Sequence, residues 1–212
     1  MPTIKEGALT FEFPSGWIVS HFDGWAFYQN QFMKTGEAYS PCSKCGNKNI
    51  SGAKAIDLLA IDGNSCCWCI EIKDYRQVQR TKPSDLADEM ALKVRDSLAA
   101  LAAARVNAHV AQEQSMANDA LRCSHLRVVL HLEQPSKHSK LFPRGIDPAN
   151  VKQRLKQLIK AIDPHPLVIE MGRMENVAWS VRGHATITEA LLFLSSGLTL
   201  QSFRSPVSNL PA

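Results

Sequence analysis

The chain has 212 residues, 45% of them hydrophobic and 21% charged, enough for one compact domain with a sizeable core. Its net charge of +4 is modest, and no apolar run approaches the length of a membrane-spanning helix, so a transmembrane helix and a strongly polybasic or polyacidic chain are both excluded. The opening MPTIKEGALTFEFP lacks the basic and apolar regions of a signal peptide, and no repeat or Gly/Ser-rich linker divides the sequence. A single cytoplasmic domain over residues 1–212, with no membrane partner, is the expectation.

Leu9, Phe11 and Phe13 alternate with polar residues ahead of Pro14-Ser15-Gly16, which predicts a strand, a turn and a second strand. Asp23 then stands where a helix N-cap belongs, with Phe22 and Phe27 spaced as a hydrophobic staple. A helix is predicted from Gly24 to Lys34, burying Trp25, Tyr28 and Phe32. The stretch KAIDLLAIDGNSCCWCIEIKDY, residues 54–75, reads as two strands around a turn at Asp62-Gly63-Asn64-Ser65. Ser84 is the expected cap of the longest helix, running to Arg105 with a buried stripe of Leu86, Met90, Val94, Leu98 and Leu101. LRVVLHLE, residues 126–133, is a buried strand. Residues 148–162 form a basic amphipathic helix with Val151, Leu155, Leu158 and Ile162 inward, and PLVIEM and VAWSV are two more strands. The order implies an α/β (α+β) protein, a mixed sheet with helices packed on it. Between Lys137 and Lys160 seven basic residues (Lys137, Lys140, Arg144, Lys152, Arg154, Lys156, Lys160) face one acid, Asp147. Such a patch can neutralise phosphates or serve as a solvated helix face.

Asp57 lies in an otherwise apolar strand, AIDLLAI, where a carboxylate is costly unless a partner, hydrogen-bond donors or a metal satisfy it. On the next strand Glu71 and Lys73 project from one face, while Ile70 and Ile72 project from the other. Register decides whether Asp57 meets them. A two- or four-residue loop puts Asp57 opposite Ile70, on the wrong face; a three-residue loop, Gly63 to Ser65, puts it opposite Glu71. The second arrangement is predicted. Two neighbouring carboxylates repel, and a hard divalent cation, Mg²⁺ or Mn²⁺, is the natural remedy. A lysine beside that cation suits metal-assisted phosphodiester hydrolysis.

Asp57 followed by Glu71-Ile72-Lys73, on two strands leading into a helix, resembles the PD-(D/E)xK nuclease superfamily, and residues 54–101 are similar to uncharacterised bacterial members. The resemblance implies a restriction-endonuclease-like fold, a mixed β-sheet flanked by helices. It implies that Asp57, Glu71 and the backbone carbonyl of Ile72 bind the metal, and that Asp57, Glu71 and Lys73 are catalytic. Ile56 stands where many members have Pro. The acid often supplied by the first helix has Asp23 and Glu37 as candidates. Arg76, Arg80, Lys82 and Lys93 are candidate contacts to nucleic acid, with DNA the expected substrate and a homodimer the arrangement for cutting both strands. The alternative is a catalytically silent nucleic-acid-binding or interaction module on the same fold.

Cys42, Cys45, Cys66, Cys67, Cys69 and Cys123 are the six cysteines. C-x2-C at Cys42 and Cys45, followed by CCWC, has the spacing of a structural zinc site. An extended strand, however, sends Cys66 and Cys69 to opposite faces, leaving Cys67 and Cys69 as the pair able to join Cys42 and Cys45. Reduced, partly buried thiols are the competing reading. His125, His131 and His138 match no compact ligand set and are read as structural. No Gly-rich phosphate loop or Gly-x-Ser-x-Gly elbow occurs.

Overall fold

The computed structural model describes residues 1–36, 38–42, 46–50, 52–78, 80–135 and 145–183, with backbone alone for 38–42 and 46–50. In chain order the elements are β1 (Thr3–Glu6), β2 (Leu9–Glu12), β3 (Ile18–His21), a π-helix (Tyr28–Phe32), β4 (Ala38–Cys42), β5 (Gly46–Ile50), β6 (Leu58–Ile61) and β7 (Cys66–Asp74). Then come α1 (Leu86–Asn107), α2 (Ala111–Arg122), β8 (His125–Glu133), α3 (Pro148–Ile159), β9 (Leu167–Ile169) and β10 (Ser180–Gly183). The class is mixed α and β, as expected.

The central sheet has five strands in the order β3-β6-β7-β8-β9. β6 pairs antiparallel with both β3 and β7, whereas β8 pairs parallel with both β7 and β9, through helical crossovers. One face carries α1, α2 and α3 over a core that includes Cys67, Cys69, Met90, Val94, Val128 and Leu130. The other face carries a three-stranded sheet, β1-β2-β10, over Leu58, Trp68, Ile70, Phe11, Phe13 and Trp179. β7 is therefore covered on both sides, which is why residues 66–72 are all buried. β4 and β5 pair with each other in a separate hairpin.

Several boundaries differ from the predicted ones for physical reasons. The helix expected over Gly24–Lys34 is shorter, helical from residue 26 and continuing as the π-helix Tyr28–Phe32, closed by Met33 N–H donating to the Tyr28 carbonyl at 2.8 Å. Its leading N–H groups, on Ala26 and Phe27, are met by the two carboxylate oxygens of Glu113 at 2.7 and 3.0 Å, so a side chain on α2 does the work assigned to Asp23. Phe22 packs on Trp25 and Tyr28 rather than closing a staple with Phe27. The N-cap of α1 is Asp85, which accepts from Ala87 N–H at 2.7 Å, and not Ser84. α3 ends at Ile159, which is buried while Leu158 stays 41% exposed. Gly52 passes so near Met33 that a Cβ would overlap the Met33 carbonyl, so this crossing requires glycine.

The turn between β6 and β7 has the predicted three-residue form. Asp62 N–H donates to the Cys66 carbonyl at 3.1 Å, leaving Gly63, Asn64 and Ser65 in the loop, with Ser65 at φ 61°. The Asp62 carboxylate accepts from Asn64 N–H (2.8 Å), Cys66 N–H (3.0 Å) and the Trp68 indole (3.1 Å). Replacing this carboxylate removes all three bonds. Asp62→Ala is expected to lower stability by about 2 kcal/mol, read as the midpoint shift in urea unfolding with an unchanged slope.

Candidate functional site

The site begins with register. Leu58 pairs with Ile70 and Leu59 with Cys69, so the continuation of the ladder sets Asp57 opposite Glu71. Asp57 is held in place from three sides. Phe22 N–H donates to its carbonyl at 2.9 Å, extending the β3–β6 pairing by one residue. The residues leading into it are tied to α1, with Ile56 N–H donating to Ser97 Oγ and Lys54 N–H to Asp96 Oδ2, each at 3.0 Å. Its side chain turns back onto β7, where Oδ2 accepts from Ile72 N–H at 2.7 Å.

Glu71 lies beside it, with a side chain only 1% exposed. Lys73, two residues along the same face, donates to Glu71 Oε1 and, at 3.2 Å, to the Ile72 carbonyl. Lys93 completes the group from α1. Its ammonium is 2.6 Å from Glu71 Oε1 and 3.2 Å from Asp57 Oδ1, so one cation bridges both carboxylates. Lys93 was expected along the nucleic-acid path; the structure places it inside the carboxylate cluster. The sequence signal was its place in α1, between the buried Met90 and Val94, where its head group must reach toward the sheet.

Burial and charge oppose each other here. Burial above all, then the neighbouring Asp57 charge, raises the Glu71 carboxyl above the usual carboxylate range, while Lys93 and Lys73 pull it back down. Burial disfavours the Lys93 charge, yet Glu71 and Asp57 outweigh it and lift that ammonium above its ordinary value. Two further acids feel Asp57. Asp23 and Glu6 are both raised, by burial first and by Asp57 second. Glu6 pairs with His21 Nδ1 at 3.4 Å. Asp23 thus borders the site from the loop after β3; Glu37 lies outside the described residues. Glu6 and His21 had no sequence signal, because only the fold brings β1 and β3 to this edge.

The donor set suits a hard cation. Glu71 Oε2 is buried without a hydrogen-bond partner, and the next residue, Ile72, binds Asp57 through its N–H and Lys73 through its carbonyl. Among the described residues no group of three or more His, Cys, Asp or Glu side chains is arranged to hold a metal, so a cation here would rest on two carboxylates, one carbonyl, water and a ligand.

The other candidates are placed elsewhere. Arg76 is paired with Asp74 through two bonds, at 2.9 and 2.6 Å, and its guanidinium lies next to Gly183 of β10. Arg80 is a structural clamp: it donates to the Tyr75 hydroxyl, the Ser84 carbonyl and the Glu89 carboxylate, tying the loop before α1 to that helix. Lys82 is exposed, 3.8 Å from Glu89. Cys67 and Cys69 share the Glu71 face, as predicted, but both are fully buried free thiols in the core. The Cys67 thiol is pushed well up by its hydrogen bond with Cys69 and by burial, and burial with nearby Asp62 raises Cys66 to about 12. Cys45 and the Cys42 side chain lie outside the described residues. His131 is wholly buried, edge-on to Phe11 at 5.1 Å and 2.8 Å from Glu133.

No family model and no solved structure matches the chain. Among curated proteins it is similar to a cysteine–tRNA ligase of Neisseria meningitidis serogroup A / serotype 4A, 33% identical over 208 residues. The match covers 85% of this chain and 30% of that ligase, so the chain spans under a third of its relative's length. Among the described residues no helix is long and apolar enough to cross a membrane.

Removing the Lys93 charge leaves two adjacent carboxylates without their shared counter-ion. Lys93→Met is expected to destabilise the fold at neutral pH by on the order of 2 kcal/mol. The loss should shrink as pH falls and Glu71, whose carboxyl is raised by burial, takes up a proton, which unfolding curves at several pH values would record. A loss that stays constant down to acid pH would assign Lys93 a packing role alone.

Proposed function

We propose that the chain is a metal-dependent phosphodiesterase acting on nucleic acid, built on a restriction-endonuclease-like core of the PD-(D/E)xK type. The observation that carries this reading is the convergence of Asp57, Glu71 and Lys73 on one sheet face, with Glu71 Oε2 buried and unpartnered. Asp57, Glu71 and the Ile72 carbonyl would hold a Mg²⁺ or Mn²⁺ ion. Such an ion, when bound, polarises the phosphate and lowers the pKa of water.

The protein's own groups supply the rest. Hydrolysis adds water across a P–O bond, the oxygen going to phosphorus and a proton to the leaving oxygen. Lys73, held by Glu71 and the Ile72 carbonyl, is placed to orient the attacking water. Lys93, freed from the carboxylates once they have another counter-charge, can turn to the phosphate oxygens. Burial of Glu71 at the base of the site strengthens the interactions made there.

A second reading rests on the same lysine. With Lys93 bridging Asp57 and Glu71, the carboxylates already have a cation, as a silent binding module would require. The Neisseria relative is named as a cysteine–tRNA ligase, a reason to test RNA beside DNA as a substrate class.

The test is incubation with Mg²⁺ or Mn²⁺ and single-stranded DNA, duplex DNA, RNA and tRNA. Cleavage should be lost in EDTA and should fall at least about 100-fold in Glu71→Gln and in Lys73→Ala. Cleavage that persists in both variants would overturn the assignment. Binding without cleavage of any substrate would select the silent module.

A further inference from the structure

A cleft of about 510 Å³ opens beside Lys93, at the edge of the carboxylate cluster. Its walls include Asp23, Gln29, Asn30, Met33, Lys54 and Lys93. The volume lies in the range of pockets that enclose a small organic ligand and far exceeds what an ion and its waters need. Lys93 belongs both to this cleft and to the cluster, so whatever fills the cleft adjoins Asp57 and Glu71.

The lining has a chemical order. Lys54 is exposed and lines the cleft with Lys93, whose ammonium reaches the carboxylates, so the lining carries two cationic side chains. Gln29 and Asn30, both exposed, add two side-chain amides to the lining, the Gln29 amide donating to the Asp23 carbonyl at 3.2 Å. Met33, 42% exposed, adds an apolar, polarisable side chain to the lining. Asp23, acceptor-only when ionised, suits a hydroxyl or an amine. Charge for a phosphate, amides for a base edge and an apolar platform for a ring face together describe a nucleotide.

The backbone is built to present these groups. Gln29 and Asn30 lie within the π-helix and Met33 closes it, with its N–H reaching back five residues to Tyr28. Such wide turns are rare and concentrate at functional sites. Here the wide turn brings both amides and Met33 to the cleft alongside Tyr28, which is buried and anchored through its hydroxyl to the Ala53 carbonyl.

We infer that this cleft is a nucleotide subsite, holding one unstacked nucleotide of a nucleic-acid strand next to the phosphate at Asp57, Glu71 and Lys73. The inference rests on nucleic acid being the substrate of the proposed site. An isolated cleft of this size cannot admit stacked, paired bases, so the strand must be single or locally opened.

The test separates binding from hydrolysis. Fluorescent single-stranded RNA and DNA octamers and a DNA duplex are titrated in EDTA, where no metal-dependent cleavage occurs, with unfolding curves confirming that each variant is folded. Single strands should bind more tightly than duplex. Lys54→Ala should weaken binding roughly five- to tenfold and lower the slope of log affinity against log salt by about one. Asn30→Ala should weaken binding by a similar factor, alter the preference among homopolymer sequences and leave the salt slope unchanged. Parent-like affinity in both variants, a preference for duplex, or no binding of any strand would overturn the inference. If the parent cleaves and both variants cleave with unchanged KM, the subsite fails while the hydrolytic site stands. If binding depends on Lys54 and Asn30 but no metal supports cleavage, the subsite stands and the hydrolytic reading fails.

Discussion

The arrangement of the whole site depends on the count of residues in one turn. Side chains on a strand alternate with a period of two, so a loop longer or shorter by one would send Asp57 through the other face of the sheet. There it would meet Ile70 and the aromatic layer under Phe11 and Phe13 instead of Glu71. The Asp62 carboxylate prevents the slip by gathering Asn64 N–H, Cys66 N–H and the Trp68 indole at once. A local, solvent-edge hydrogen-bond knot thus decides the chemistry of a buried group several residues away.

Once the register is set, charge balance follows from it. Asp57 and Glu71 bring two negative charges to an apolar face, and Lys73 and Lys93 bring two positive ones. The carboxylates and Lys73 come from the sheet, whereas Lys93 comes from α1, so the helix is held to the sheet by electrostatics as well as by Met90 and Val94. Stability and function meet in this side chain. Its attraction to Glu71 and Asp57 offsets their burial, and the same attraction opposes any metal that would take its place.

Much of the site was legible in the sequence, and the reason is the simplicity of strands. A period of two, a carboxylate amid Ala, Ile and Leu, and a Gly-Asn turn were enough to bring Asp57, Glu71 and Lys73 together. Helix detail was less legible. α2 buries only Met116, Ala117 and Ala120, too thin a stripe to stand out among AQEQSMANDALR. The segment after β3 was read as a regular helix because its aromatic spacing fits one. What sets its start is Glu113, 86 residues away from Phe27 and invisible to any local pattern. Ser84 and Asp85 are both good caps, and only the three-dimensional course of the chain chooses between them. Arg80 reads as a surface cation from sequence; the partners that convert it into a clamp are fixed by how the loop folds over Glu89.

Glu113 has a role beyond satisfying two N–H groups. Both of its oxygens grip consecutive backbone amides at the base of the π-helix, and α2 is itself rigidly seated against α1. The wall carrying Gln29, Asn30 and Met33 is therefore fastened at both ends, by Glu113 where it begins and by the close crossing of Gly52 against Met33 where it ends. An occupant would then meet a wall of set shape, and α2, which contributes Glu113 and no lining residue, would hold that shape from behind.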